Sequence, residues 1–149
     1  MIAISFGSYA ATTGASLLPR DPVAKARVRE ISEVINAGTQ PLQNLEHMKA
    51  ITASAEGADG KAVGKAAILK GLATLESLVA VNRDERFSVG SHVSMADACL
   101  VPQLYNARRF EIDLAPFPRL LAVEAHVTTL PCFHKAHPDG QQDAAVKVA

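Results

Sequence analysis

A chain of 149 residues, 48% of them aliphatic, aromatic or cysteine, is long enough to bury roughly 68–70% of the surface its unfolded form exposes, so a real core is expected. Fifteen Lys plus Arg balance fifteen Asp plus Glu, which leaves no long-range field to gather nucleic acid or an anionic membrane surface. A charged residue interrupts every apolar stretch before it reaches the ~18 residues of a membrane span, and neutral or small partners remain.

Residues 1–16, MIAISFGSYAATTGAS, are small and apolar with no charge before Arg20. A signal peptide needs a basic start and a cleaner apolar stretch, so this segment reads as a loosely held leader whose order the sequence leaves open. From Asp21, DPVAKARVREISEVINAG offers Asp21 as N-cap, Pro22 at the first helical position, and Val23, Val28, Ile31, Val34 and Ile35 as an apolar face. Gly38 and Pro41 should break that helix, since Pro41 lacks an N–H and drives Gln40 out of the α region. PLQNLEHMKAIT resumes as helix, and ASAEGADG reads as a loop with nothing to bury. KAVGKAAILKGLATLESLVAVN spaces Val63, Ala67, Ile68, Leu72, Leu75, Leu78 and Val79 as a second long helix, weakened by Gly64 and Gly71 by ~1 kcal/mol each relative to Ala. A loop with a Gly90 turn follows.

SMADACLVPQLYNARRF, residues 94–110, is the most informative stretch. Ser94 followed at three residues by Asp97 is a capping-box pattern, worth on the order of 1 kcal/mol or more. Met95, Ala96, Ala98, Cys99, Leu100, Val101, Leu104 and Tyr105 surround the axis on most sides, which places this helix at the centre of a bundle. Pro102 predicts a kink, with Gln103 facing the gap. Arg108 and Arg109 leave the helix end in different directions, where cations also complement the helix dipole. Pro116 and Pro118 open a further helix through Leu120, Leu121, Val123, Val127 and Leu130, ended by Pro131 with one more turn before Pro138. No alternating strand pattern occurs, so the fold is all-α with four or five helices. The organisation expected is a leader over 1–16, a helical domain over 17–140 and a flexible tail over 141–149.

In this order and spacing, LLPRDP, QPLQNL, FSVGSHVSMADACLVPQLYNARRFEIDL and HPDGQQDA resemble the C-terminal half of zeta-class glutathione transferases, the maleylacetoacetate isomerases, from about Leu17 to about Ala144. The capping box is shared across the transferase superfamily; NARRF with CLVPQ and QPLQNL narrows the resemblance to the zeta class. The resemblance implies a glutathione transferase C-terminal-domain-like bundle of four to six helices around a buried central helix. It also implies a thioredoxin-like domain with a Ser-Ser-Cys motif, which these residues do not contain. Family members place glutathione against positions matched by Gln40 and Asn44 with neighbouring Leu45 and Glu46, and a substrate carboxylate against Arg109. The implied chemistry is glutathione-dependent cis–trans isomerisation. The thiolate of glutathione adds to the double bond of maleylacetoacetate, the resulting single bond turns, and elimination returns the trans product. No catalytic residue of this chain is then required, and glutathione enters as a cosubstrate once the other domain is supplied. GKAVGKAAILKGLATLESL departs from the family, which carries an aromatic and basic stretch there.

The bland readings are stated beside these. Gln40 and Asn44 suit caps for a helix restarted after Pro41. Cys132, His134 and His137 match no zinc spacing, so no metal is expected. Cys99 reads as a small core hydrophobe, Tyr105 as a core residue with a satisfied hydroxyl, and both cysteines as reduced thiols of a cytoplasmic protein. The alternative to an isomerase half is a stand-alone, non-enzymatic helical interaction module. Either way the face that the thioredoxin-like domain would cover favours self-association, and the partner by resemblance is a small dicarboxylate, not nucleic acid or membrane.

Overall fold

The computed structural model describes residues 16–82, 84 and 86–141; the expected leader and tail, apart from Ser16 and Gln141, lie outside them. The described elements are helices α1 (Pro22–Asn36), α2 (Leu45–Ser54), α3 (Gly60–Val79), α4 (Met95–Arg109), α5 (Pro118–Val127) and α6 (Pro131–Ala136), with 3₁₀ turns at Gln40–Gln43 and Pro138–Gly140. Among the described residues there is no strand, as the sequence led us to expect, and no helix long and apolar enough to cross a membrane.

Each helix starts where its chemistry allows. The Asp21 carboxylate accepts from the Ala24 N–H at 2.6 Å, and Pro22 takes the first helical position without forfeiting a bond. Val28, Ile31 and Ile35 form the buried stripe of α1. Val23 does not join it and is 75% exposed; five residues before Val28, it lies about 140° round the axis from that stripe. The break at Gly38–Pro41 holds, and the chain re-enters helix at Leu45 through the 3₁₀ turn.

Helix α3 corrects the expectation for its glycines. Gly60 opens the helix instead of closing the preceding loop, and Gly60, Gly64 and Gly71 all face inward with Ile68, Leu72, Leu75 and Val79. A Cβ on Gly60 would strike the Met48 carbonyl, one on Gly64 would stand 2.9 Å from the Met48 Sδ, and one on Gly71 would run into the Thr39 hydroxyl. These glycines are therefore the contact line on which α2 and the 3₁₀ turn seat, so the helix propensity they forgo is exchanged for close approach. Val63, placed on the packed face by periodicity, is instead 40% exposed.

Helix α4 packs on α1 and α5, burying Ala96, Asp97, Leu100, Gln103, Leu104 and Ala107. It is central but not enclosed: Pro102 is exposed, and Cys99, Val101 and Tyr105 are only half-buried. An apolar composition all round the axis overstated its burial, because the helices packed on α4 are chiefly α1 and α5. The helix runs unbroken through Pro102. Gln103 is held by a partner described below, so it does not serve a gap at the proline. The start of α5 is completed from a distance. Phe117 has no side-chain oxygen to cap with, and Glu76 of α3 accepts from the Arg119 and Leu120 N–H groups at 3.0 and 3.1 Å.

Candidate functional site

The position of α4 is fixed at both ends. At its start the capping box between Ser94 and Asp97 forms. The fully buried Asp97 carboxylate accepts from the Ser94 N–H at 2.7 Å, the Ser94 hydroxyl at 2.9 Å and the Ser88 N–H at 2.7 Å. It thereby ties the loop before the helix to its first turn. At its end the two arginines separate as the spacing predicted. Arg108 forks onto Glu124 of α5 with bonds of 2.7 and 2.6 Å, and that hydrogen bonding raises its pKa further above the ordinary guanidinium value. Arg109 is exposed and makes no hydrogen bond or ion pair with a described residue.

Arg109 lines an open cleft of about 350 Å³ together with Asn106 and Phe110 of α4, Gln43 of the 3₁₀ turn, Leu45 and Met48 of α2, and Lys61 of α3. The walls are brought together by three contacts. Gln43 and the buried Gln103 exchange reciprocal amide hydrogen bonds at 3.0 and 3.1 Å, pinning the 3₁₀ turn to α4. The Lys65 ammonium donates to the Glu111 carbonyl at 3.3 Å. The absent side chain of Gly64 lets the Phe110 ring come within 3.4 Å of where a Cβ would sit. The result is an apolar floor of Leu45, Met48 and Phe110, two primary amides and two cations, with no acidic residue among those lining it.

The residues singled out from sequence fall on both sides of this boundary. Arg109 and Leu45 line the cleft; Gln40, Asn44 and Glu46 do not. Asn44 caps α2, its side-chain oxygen accepting from the Glu46 and His47 N–H groups at 3.0 and 3.4 Å. Glu46 pairs with Lys49 at 3.1 Å on an exposed face, and Gln40 is exposed at the start of the 3₁₀ turn. Sequence reasoning passed over Gln43, Met48, Lys61, Asn106 and Phe110. Gln43 and Phe110 were within reach, inside the motifs QPLQNL and NARRF, whereas nothing local marks Lys61.

The other candidates are quiet. Cys99 is half-buried, with its pKa raised chiefly by burial, and the Asn36 amide lies 3.8 Å from its sulfur. Tyr105 donates to Asp139 at 2.9 Å, a bond that also raises its pKa, and its ring meets that of His137 edge-on at 5.9 Å. Cys132 and His134 are exposed, and among the described residues no group of three or more His, Cys, Asp or Glu side chains is placed to hold a metal ion. A second open recess of about 500 Å³ lies between the Leu18–Asp21 segment and the Val89–Ser94 loop.

No protein-family model matches the chain. It is 39% identical over 127 residues to the probable maleylacetoacetate isomerase 2 of Drosophila melanogaster, a match that takes in 85% of this chain and 54% of that one. The chain thus spans little more than half the length of this curated relative. Maleylacetoacetate isomerase from Anaeromyxobacter dehalogenans, solved with glutathione bound in its active site, is similar with a TM-score of 0.82 and 43% identity, over 87% of this chain and 59% of that one. The same enzyme has been solved with dicarboxyethyl glutathione and citrate in the active site, at 42% identity and 0.82 over 89% and 59% of the two chains. A holo maleylpyruvate isomerase, described as a bacterial zeta-class glutathione transferase, is similar with a TM-score of 0.83 and 33% identity over 95% of this chain and 67% of that one.

Proposed function

Because the chain belongs to the maleylacetoacetate isomerases, the zeta class of glutathione transferases, we propose that its cleft is the helical wall of a glutathione-dependent cis–trans isomerase site. The observation that carries this reading is the meeting of Arg109 and Leu45 in one recess, two residues that motif matching had assigned separately to the substrate and to glutathione. A solved relative holds glutathione, and in another structure a dicarboxyethyl derivative of it, in its active site. A recess with an apolar floor and two cations suits the same class of ligand.

In this reading the nucleophile is the thiol of glutathione, and the chain contributes position and charge. The Arg109 guanidinium holds a substrate carboxylate through two parallel N–H bonds, which fix its orientation while the central carbon–carbon bond turns. Asn44 acts through the backbone: by capping α2 it sets where Leu45 and Met48 stand, and Gln40 and Glu46 flank the glutathione side. The finer expectations follow from the same reading: a cytoplasmic protein of tyrosine and phenylalanine catabolism, whose exposed Val63 and Leu69 favour a dimer. Calorimetric titration of the chain with glutathione tests it. Saturable binding that weakens in Asn44→Ala is expected when a zeta-class thioredoxin-like domain is supplied in trans, and binding that Asn44→Ala leaves unchanged overturns the assignment of this face to glutathione.

A further inference from the structure

Assigning one carboxylate to Arg109 leaves the second cation of the cleft, Lys61, without a role. Lys61 lies in the first turn of α3, a turn that contains no acidic residue. The Asp59 carboxylate caps that turn, accepting from the Ala62 N–H at 3.0 Å, and offsets the positive end of the helix dipole beside Lys61. Lys65, one turn further on, is engaged by the Glu111 carbonyl at 3.3 Å, whereas Lys61 makes no hydrogen bond or ion pair with any described residue. That Lys65 contact and the approach of Phe110 to Gly64 hold the end of α4 against the start of α3. Lys61 and Arg109 therefore open on the same recess, and among the described residues no carboxylate lines it.

We propose that Lys61 is a specificity-determining residue: together with Arg109 it makes this cleft select a ligand carrying two carboxylates over one carrying a single carboxylate. The proposal rests on the reading of Arg109 as a carboxylate anchor. Lys61 and Arg109 are both exposed at the rim of the recess, so a monoanion pairs with one cation and leaves the other to solvent, whereas a dianion pairs with both. The two cations are also unlike in a way that suits a substrate whose ends move relative to each other. The planar guanidinium fixes one carboxylate, and the compact ammonium on its flexible stem follows the other as the bond between them turns.

Calorimetry of the full chain with maleate and with isocrotonate, which replaces one carboxylate by a methyl group, separates the possibilities at a pH where every carboxylate is ionised. Wild type is expected to prefer maleate. Lys61→Gln should lower maleate affinity by roughly 3–10-fold, the range for a partly exposed charge contact, while isocrotonate changes by less than about twofold. Lys61→Arg should keep the preference, and Arg109→Met should weaken both ligands. If Arg109→Met weakens both and Lys61→Gln leaves the maleate-to-isocrotonate ratio unchanged, the role of Lys61 is refuted and the Arg109 anchor stands. If Arg109→Met changes neither ligand, or wild type binds neither, both fall.

Discussion

Replacing Asp97 tests the junction on which the position of α4 depends. Its carboxylate is fully buried and accepts three bonds of 2.7, 2.9 and 2.7 Å, two of them from backbone N–H groups of Ser94 and Ser88. In Asp97→Ala those two donors are left in a site that water does not reach, at about 1–3 kcal/mol each, and the favourable charge near a helix N-terminus is lost as well. A loss of about 3–5 kcal/mol is expected, against the 5–15 kcal/mol typical of a whole domain. Asp97→Asn keeps the shape but turns an amide NH₂ toward one of the two donors, so it should recover little. Ser94→Ala removes only the hydroxyl's part of the box, at about 1 kcal/mol. Urea unfolding followed by far-UV circular dichroism gives the order: with a slope of about 2 kcal/mol per molar, the Asp97→Ala midpoint should fall by roughly 1.5–2.5 M. A midpoint within about 0.25 M of wild type, or a larger loss in Ser94→Ala than in Asp97→Ala, refutes the argument that the carboxylate carries this junction.

Further expectations follow from single contacts. Glu76→Ala removes the long-range cap of α5 and should cost about 1–2 kcal/mol in the same unfolding experiment, although Glu76 has no helical partner on its own face to lose. Gly71→Ala should destabilise despite its better helix propensity, because the new methyl group meets the Thr39 hydroxyl; Thr39→Ala in the same chain should recover part of the loss, and strict additivity in the double-mutant cycle contradicts the contact. Ser88→Ala should be neutral or slightly stabilising, since the Ser88 hydroxyl is buried without a partner while its N–H does the bonding. Burial raises the Cys99 pKa, so the folded state holds that thiol proton more tightly than the unfolded chain and loses stability as pH rises past the ordinary thiol range. At neutral pH an alkylating reagent should modify the exposed Cys132 well before Cys99, and mass spectrometry showing the reverse order counts against this assignment.

The starts of α1 and α4 were legible because their signals are local. Asp21 before Pro22, and Ser94 three residues before Asp97, carry their own hydrogen-bonding partners within one turn. The pairing of Gln43 with Gln103 and the capping of α5 by Glu76 were not legible, because each joins residues 60 and 43 or 44 positions apart and leaves no periodic trace. Val23 and Val63 were counted on the packed faces because they are apolar, yet each stands five residues, about 140° of helix, before a buried residue, Val28 or Ile68, and both are exposed. For the site, motif matching named Arg109 and Leu45, which do line the cleft, and it named Asn44, whose side chain works as the cap that the spacing alone had favoured.

The glycines of α3 link the fold to the cleft. By sequence they looked like weak points in the helix. In the structure the space that side chains there would fill is taken by neighbours: the Met48 sulfur and the Phe110 ring both close on Gly64, and these two side chains are the floor of the recess beside Arg109. Met48 and Phe110 fill the space beside Gly64, so the cleft has an apolar floor while its polar rim is supplied by Lys61, Gln43, Asn106 and Arg109. A larger residue at position 64 should then displace Met48 or Phe110 and alter ligand affinity, although position 64 is not itself among the residues lining the cleft.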